Sequence, residues 1–181
     1  MGIRDFFKKD KQPPPEPVTD ITLSTMKLGY LVDYDLKSWE VTAAHHYDWG
    51  EGDISYEWQL TSADETVCLE KETDDEVAWS LYRKIALSRL GGGVTELVRQ
   101  TGDPPKEIVL DGVTYYQEEM SGGHFFENGQ GPGRQMISWH YEDDDGQRYL
   151  CIEQWGETAF EASLGEPVEE YQFSDILPKK N

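Results

Sequence analysis

The stretch Trp39-Glu-Val-Thr-Ala-Ala-His-His-Tyr-Asp-Trp-Gly-Glu-Gly-Asp-Ile-Ser-Tyr-Glu-Trp58 decides how the chain is read. Trp39, Val41 and Ala43 alternate with other residues, and so do Ile54, Tyr56 and Trp58. Successive side chains on a strand point to opposite faces, so an apolar period of two predicts a strand with one buried face. Between the two runs lies Asp48-Trp-Gly-Glu-Gly-Asp53, whose glycines predict a loop. The stretch is therefore expected to be two β-strands joined by a wet, acidic loop. Trp39 and Trp58 share the phase of the apolar faces and are expected in the core. Trp49 falls in the loop and is expected to be exposed.

The same period extends outward. Met26, Leu28, Tyr30 and Val32 alternate up to a turn over residues 33–37. Residues 66–70 form a short return strand, and Val77, Trp79 and Leu81 carry the pattern to about Arg83. Gly91-Gly-Gly93 and Gly102-Asp-Pro-Pro105 bracket a short helix over residues 94–100. Asp111-Gly112 is a two-residue hairpin signal between residues 108–110 and Val113. Gly122-Gly123 and Asn128-Gly-Gln-Gly-Pro-Gly133 are expected to frame a loop carrying His124-Phe-Phe126. Strands over residues 136–142 and 147–155 flank an acidic turn, Asp143-Asp-Asp-Gly146. A strand follows from Phe160, and residues 173–178 are expected to close the fold as one helical turn before Pro178.

The second half echoes the first. Tyr56-Glu-Trp-Gln-Leu60 followed by Val67-Cys-Leu-Glu70 returns as Ser138-Trp-His-Tyr141 followed by Leu150-Cys-Ile-Glu153, displaced by 81 residues at the tryptophans and 83 at the cysteines. The expected fold is all-β and mainly antiparallel: two pseudo-repeated hairpin units in a barrel or sandwich, with at most short helices. The expected organisation is an N-terminal arm and Pro-rich linker over residues 1–21, a first β unit over 22–103 and a second over 104–178, packed as one domain. Ile3, Phe6 and Phe7 lie at helical spacing opposite basic residues in the arm, and Gln12-Pro-Pro-Pro-Glu-Pro17 is a stiff spacer.

Charge narrows the partners. The 181 residues include 36 Asp and Glu against 16 Lys and Arg, a net charge of −20. Setting aside the six bases and two acids of residues 1–11 and 179–180 leaves 10 bases against 34 acids, or −24. Such a body repels phosphate backbones, so no nucleic-acid partner is expected. It attracts basic proteins, cations and polyamines. Residues 1–11 offer a weak peripheral contact with a membrane. Two cysteines are too few for a disulfide scaffold, no apolar run is long enough to span a bilayer, and a cytoplasmic protein is expected.

No pattern of residues signals catalysis. His45-His46-x-Asp48 is the most metal-like cluster, but neighbours on a strand point to opposite faces and cannot share one ion. Asp143-Asp144-Asp145-Gly146 lacks the spacing of a calcium loop. Cys68 and Cys151 are expected to be small hydrophobes on their strands. A weaker reading places His46, Asp48 and His124 in one cleft.

The segments Leu28-Gly-Tyr-Leu-Val-Asp-Tyr34, Trp39-x-Val41, Tyr47-Asp-Trp-Gly-Glu-Gly52, Tyr56-Glu-Trp-Gln-Leu60 and Asp175-Ile-Leu-Pro178 resemble an uncharacterised bacterial family known as a domain of unknown function. The resemblance covers about residues 22–178. It implies a β-rich accessory protein of a membrane-associated or stress-response system, peripheral to the inner membrane, encoded near phage-shock-protein-A-like and spermidine-synthase-like proteins. It transfers no active-site residue.

The resulting expectation is a non-enzymatic module with no cofactor and no metal. It binds protein partners through an interaction loop of Asp48, Trp49, Glu51 and Asp53, with Phe125 and Phe126 as counterpart. The alternative is a small-cation or polyamine binder that uses acidic loops and an exposed Trp49.

Overall fold

A computed structural model describes residues 21–91 and 93–178. The expected arm and spacer, apart from Ile21, lie outside the described residues, and so does the membrane contact assigned to residues 1–11. The described residues form β1 (Leu31–Tyr34), β2 (Lys37–Gly50), β3 (Asp53–Thr61), β4 (Thr66–Thr73) and β5 (Val77–Ile85). There follow α1 (Val94–Thr101), β6 (Glu107–Leu110), β7 (Val113–Phe126), β8 (Arg134–Glu142), β9 (Tyr149–Gln154), β10 (Phe160–Val168) and β11 (Ser174–Leu177). The protein is all-β and antiparallel, as its sequence predicts, with α1 its one α-helix among the described residues. No described helix is long and apolar enough to cross a membrane.

The strands lie in one sheet, in the order β11-β1-β2-β3-β4-β5-β10-β9-β8-β7-β6. The sheet closes because β2 and β7 are each 14 residues long. The first part of β2 pairs with β1, Leu31 opposite Glu40, while its end pairs with β7, Tyr47 opposite Phe125. β7 is shared in the same way between β6 and β2. The eight strands β2–β5 and β7–β10 therefore form a ring, with β1, β11 and β6 hung outside it. Closure pairs strand edges that would otherwise be open to aggregation.

Matched registers run through both halves. The β2–β3 ladder slips between Val41 and Ala43, and the β7–β8 ladder slips between Gln117 and Glu119. Gln59 faces Cys68 across β3–β4, and His140 faces Cys151 across β8–β9. The two hairpins that begin the halves turn at Asp35-Leu36 and Asp111-Gly112, all four residues at positive φ.

The apolar phase of the ring strands faces outward, into two separate cores. One holds Trp39, Val41, Trp58, Leu60, Leu69 and Leu81, and is closed by Leu23 and Met26 before β1 and by Val168 and Phe173 near the C-terminus. The other gathers Trp139, Tyr141, Leu150 and Ile152 under Leu90, Val94 and Val98 of the mid-chain connection. The second core is thus capped by the segment that follows β5, and the first by the segment before β1 together with the one that follows β10. Every fully buried large side chain contributes about 1.5–3 kcal/mol, and the polar ends of these aromatics are satisfied. Trp39 Nε1 donates to the Tyr34 carbonyl at 3.0 Å, Trp58 Nε1 to that of Met26 at 3.0 Å, and the Tyr141 hydroxyl to that of Pro105 at 2.8 Å.

Three local expectations change. The stretch Asp48–Asp53 is no open loop: β2 runs on to Gly50 and β3 starts at Asp53, leaving a tight turn at Glu51-Gly52. The loop expected around His124-Phe-Phe126 is the end of β7, held between β8 and β2. Residues 174–177 form strand β11, paired with β1, rather than a helical turn.

Candidate functional site

The polar phase of the ring strands points inward. His45, Glu57, Cys68 and Tyr82 come from β2 to β5; Phe125, Ser138, Cys151 and Ser163 come from β7 to β10. All eight border one cavity of about 120 Å³, so every ring strand contributes to it. The cavity is the lumen of the ring, and two-residue alternation fills it with the side chains that the apolar cores reject.

Hydrogen bonds order the lumen. The Trp49 indole N–H donates to Ser55 Oγ at 3.0 Å, and that hydroxyl donates to Glu70 Oε1 at 3.1 Å. The Tyr47 hydroxyl donates to Glu57 Oε2 at 3.3 Å. Two glycines make room for rings. A Cβ on Gly123 would stand 2.7 Å from Trp49 Cε3, and one on Gly165 would run into the Tyr82 ring at Cε1. Trp49 and Tyr82 lie across backbone that carries no side chain, and Trp49 also stacks on Tyr47 at 5.3 Å.

Removal from water dominates the electrostatics. Burial raises Glu57, Glu70 and Glu153 above the usual carboxyl value, and nearby carboxylates push the last two further. Glu153 reaches about 8, with Glu57 and Glu161 adding to the burial effect. Burial also drives the thiols of Cys68 and Cys151 and the phenols of Tyr47 and Tyr82 upward. Thiols held protonated are poor nucleophiles. Lys84 supplies the inner lining's ammonium, paired with Glu161 at 2.5 Å. Burial lowers its pKa, but the bond to Glu161 more than offsets this and the net shift is upward.

A wider compartment of about 520 Å³ opens from the lumen and shares Trp49, Glu70, Tyr82 and Cys151 with it. Its rim is acidic: Asp53, Glu72, Asp74, Glu118, Glu119 and Glu142 line it, and no Lys or Arg does. His140 is its imidazole, 3.4 Å from Glu142.

The six interaction-loop candidates divide. Glu51 and Asp53 are exposed at the β2–β3 turn, and Asp53 reaches the acidic rim. Trp49 was expected to be exposed; it is half-buried, because its indole spans Gly123 and bonds Ser55. Phe125 packs inside on His45 and Tyr47, and Phe126 stacks on His46 at 4.5 Å. The two stretches assigned to separate loops thus meet as the β2–β7 seam. Asp48 lies opposite His124 across that seam and accepts the Gly50 N–H at 2.9 Å. His45 lines the lumen and accepts the Asn128 N–H at 3.0 Å, and burial lowers its pKa; His46 faces the other way. Among the described residues no three His, Cys, Asp or Glu side chains converge as metal ligands.

Sequence reasoning missed Glu57, Glu70 and Glu153. Individual acids carry little information in a chain with 36 of them. The available signal was phase: Cys68 and Glu70 alternate with Val67 and Leu69, and Cys151 and Glu153 with Leu150 and Ile152, marking a second enclosed face.

Comparison with known proteins gives two findings. Residues 27–170 match the family described as a domain of unknown function, DUF4178. An uncharacterized protein of Aquifex aeolicus is 25% identical over 177 residues, covering 98% of this chain and 97% of the relative. No solved structure matches.

Proposed function

The chain belongs to the DUF4178 family, and we propose that it is a non-enzymatic binding module whose ring receives a small organic cation of the oligoamine class. One observation carries the reading: the outer compartment is rimmed by carboxylates, holds no Lys or Arg, and is backed by the rings of Trp49 and Tyr82. An ammonium is attracted by carboxylates and by aromatic faces, and desolvation strengthens both effects. A cavity of about 520 Å³ suits a ligand of this size. Binding rather than catalysis is favoured by lumen thiols held protonated by burial.

Spermidine, titrated to about 10 mM with tryptophan fluorescence and melting temperature as readouts, tests the proposal. A saturable change is expected, weakened about ten-fold in Glu119→Gln, the loss of one charge-assisted contact at the rim. Absence of any saturable response in the wild type contradicts it.

A protein partner is the second reading, favoured by the sheet's edge. β11 ends the sheet, and Leu31 and Leu177, cross-strand neighbours, are 37% and 46% exposed. A four-residue edge strand with apolar neighbours suits addition of a partner strand. On this reading the protein is an accessory of a membrane-associated system, as the family resemblance implies.

A further inference from the structure

Ten Lys and Arg lie among the described residues, and three of them, Arg83, Arg89 and Arg148, line one groove of about 460 Å³; Lys84 also borders it, but its ammonium is paired with Glu161 of the lumen. The groove runs along the β5–β10 pair, where Arg83 faces Leu164, and reaches Tyr115 of β7. Glu166 is the one acid in its lining. In a chain of net charge −20 this concentration of bases stands apart.

Three of the bases are fixed in place. Arg83 bonds Glu65 at 3.5 Å and Glu166 at 3.3 Å, Arg89 pairs with Asp111, and Lys84 pairs with Glu161. A guanidinium has five N–H donors, so one carboxylate partner leaves others for a ligand. Arg148 has no side-chain ion pair among the described residues. The Tyr115 ring packs in the core of Trp139 and Tyr141, and Tyr115 borders the groove, its hydroxyl making no hydrogen bond to another described residue. The charges acting on that hydroxyl include Arg148 and Arg89, which locates it at the groove; Asp143 and Asp111 are the acids that face it.

We propose that this groove binds a phosphoryl dianion, with Arg148 and the Tyr115 hydroxyl as its donors and Arg83 and Arg89 as flanking positive charge. Planar guanidinium groups match phosphate oxygens in charge and geometry. The groove lies apart from the acidic rim, so the proposal stands independently of the cation site. The bound group is either free phosphate or the head of a small phosphate ester.

Calorimetric titration of the full chain with inorganic phosphate and with glycerol 3-phosphate, at constant ionic strength in chloride, tests it. Saturable binding is expected. It should weaken about ten-fold in Arg148→Gln, an exposed position, and in Tyr115→Phe, which keeps the buried ring. Tighter binding of the ester assigns an ester ligand, and equal binding assigns free phosphate. The proposal is overturned if neither compound saturates the wild type by about 20 mM, or if either variant binds as the wild type does.

Discussion

At Leu36 the chain holds a leucine at φ +61° on a side chain fully open to solvent. The two-residue hairpin turn requires positive φ at both central positions. Asp111-Gly112 meets that need with glycine, at φ +52° and +79°. A residue with a Cβ pays about 1 kcal/mol or more for the left-handed region, and Leu36 buries nothing in return. Replacing Leu36 by Gly should therefore stabilise the protein by about 1 kcal/mol, less the entropy that glycine adds to the unfolded chain. Urea denaturation of Leu36→Gly checks this; a lower midpoint would mean that Leu36 has contacts the turn geometry does not reveal.

At the scale of the element, the strands were legible and their partners were not. The apolar phases of Trp58-x-Leu60, Val67-x-Leu69 and Trp79-x-Leu81 are local, and they mark β3, β4 and β5 correctly. The Trp…Cys…Glu correspondence was local too; β3–β4 pairs Gln59 with Cys68 and β8–β9 pairs His140 with Cys151. Ring closure was hidden because it joins Tyr47 to Phe125, far apart in sequence, through residues whose glycines imitate loops. Gly123 is not a breaker there but the space that Trp49 occupies. Gly165 serves Tyr82 in the same way, so Gly165→Ala should cost about 1–3 kcal/mol through overpacking at the β5–β10 joint. Chemical denaturation measures the cost, and an unchanged midpoint would show that the Tyr82 ring can yield.

For the whole molecule, the ring inverts the usual barrel. Its interior gathers carboxyls, thiols, hydroxyls and aromatic rings, while two outer cores take the aliphatic side chains. The inversion follows from phase: β3, β4, β8 and β9 each carry one face of Trp, Leu, Val or Ile and one of Glu, Cys, Ser or Gln, and β1, β11, β6 and α1 cover the apolar sides. Enclosing carboxyls has a thermodynamic consequence. A carboxyl whose folded pKa is raised binds more protons in the folded state than in the unfolded one. Its contribution to stability is full below the unfolded value, about 4.3, and is lost as pH rises through the folded value. For Glu153 that loss is complete above about 8, with Glu57 and Glu70 acting in the same direction. His45, whose pKa is lowered, acts oppositely, removing stability as pH falls through the ordinary imidazole value. Between about pH 6.5 and 8.5 the carboxyl effect therefore stands clear.

Thermal unfolding of the wild type and of Glu153→Gln across that window is the most direct test of the enclosed polar lumen. The melting temperature of the wild type should fall as pH rises, by on the order of 5 °C, and the decline should be markedly shallower in Glu153→Gln. A wild-type melting temperature that stays level or rises, with the variant running parallel to it, would contradict a ring that turns its carboxyls inward.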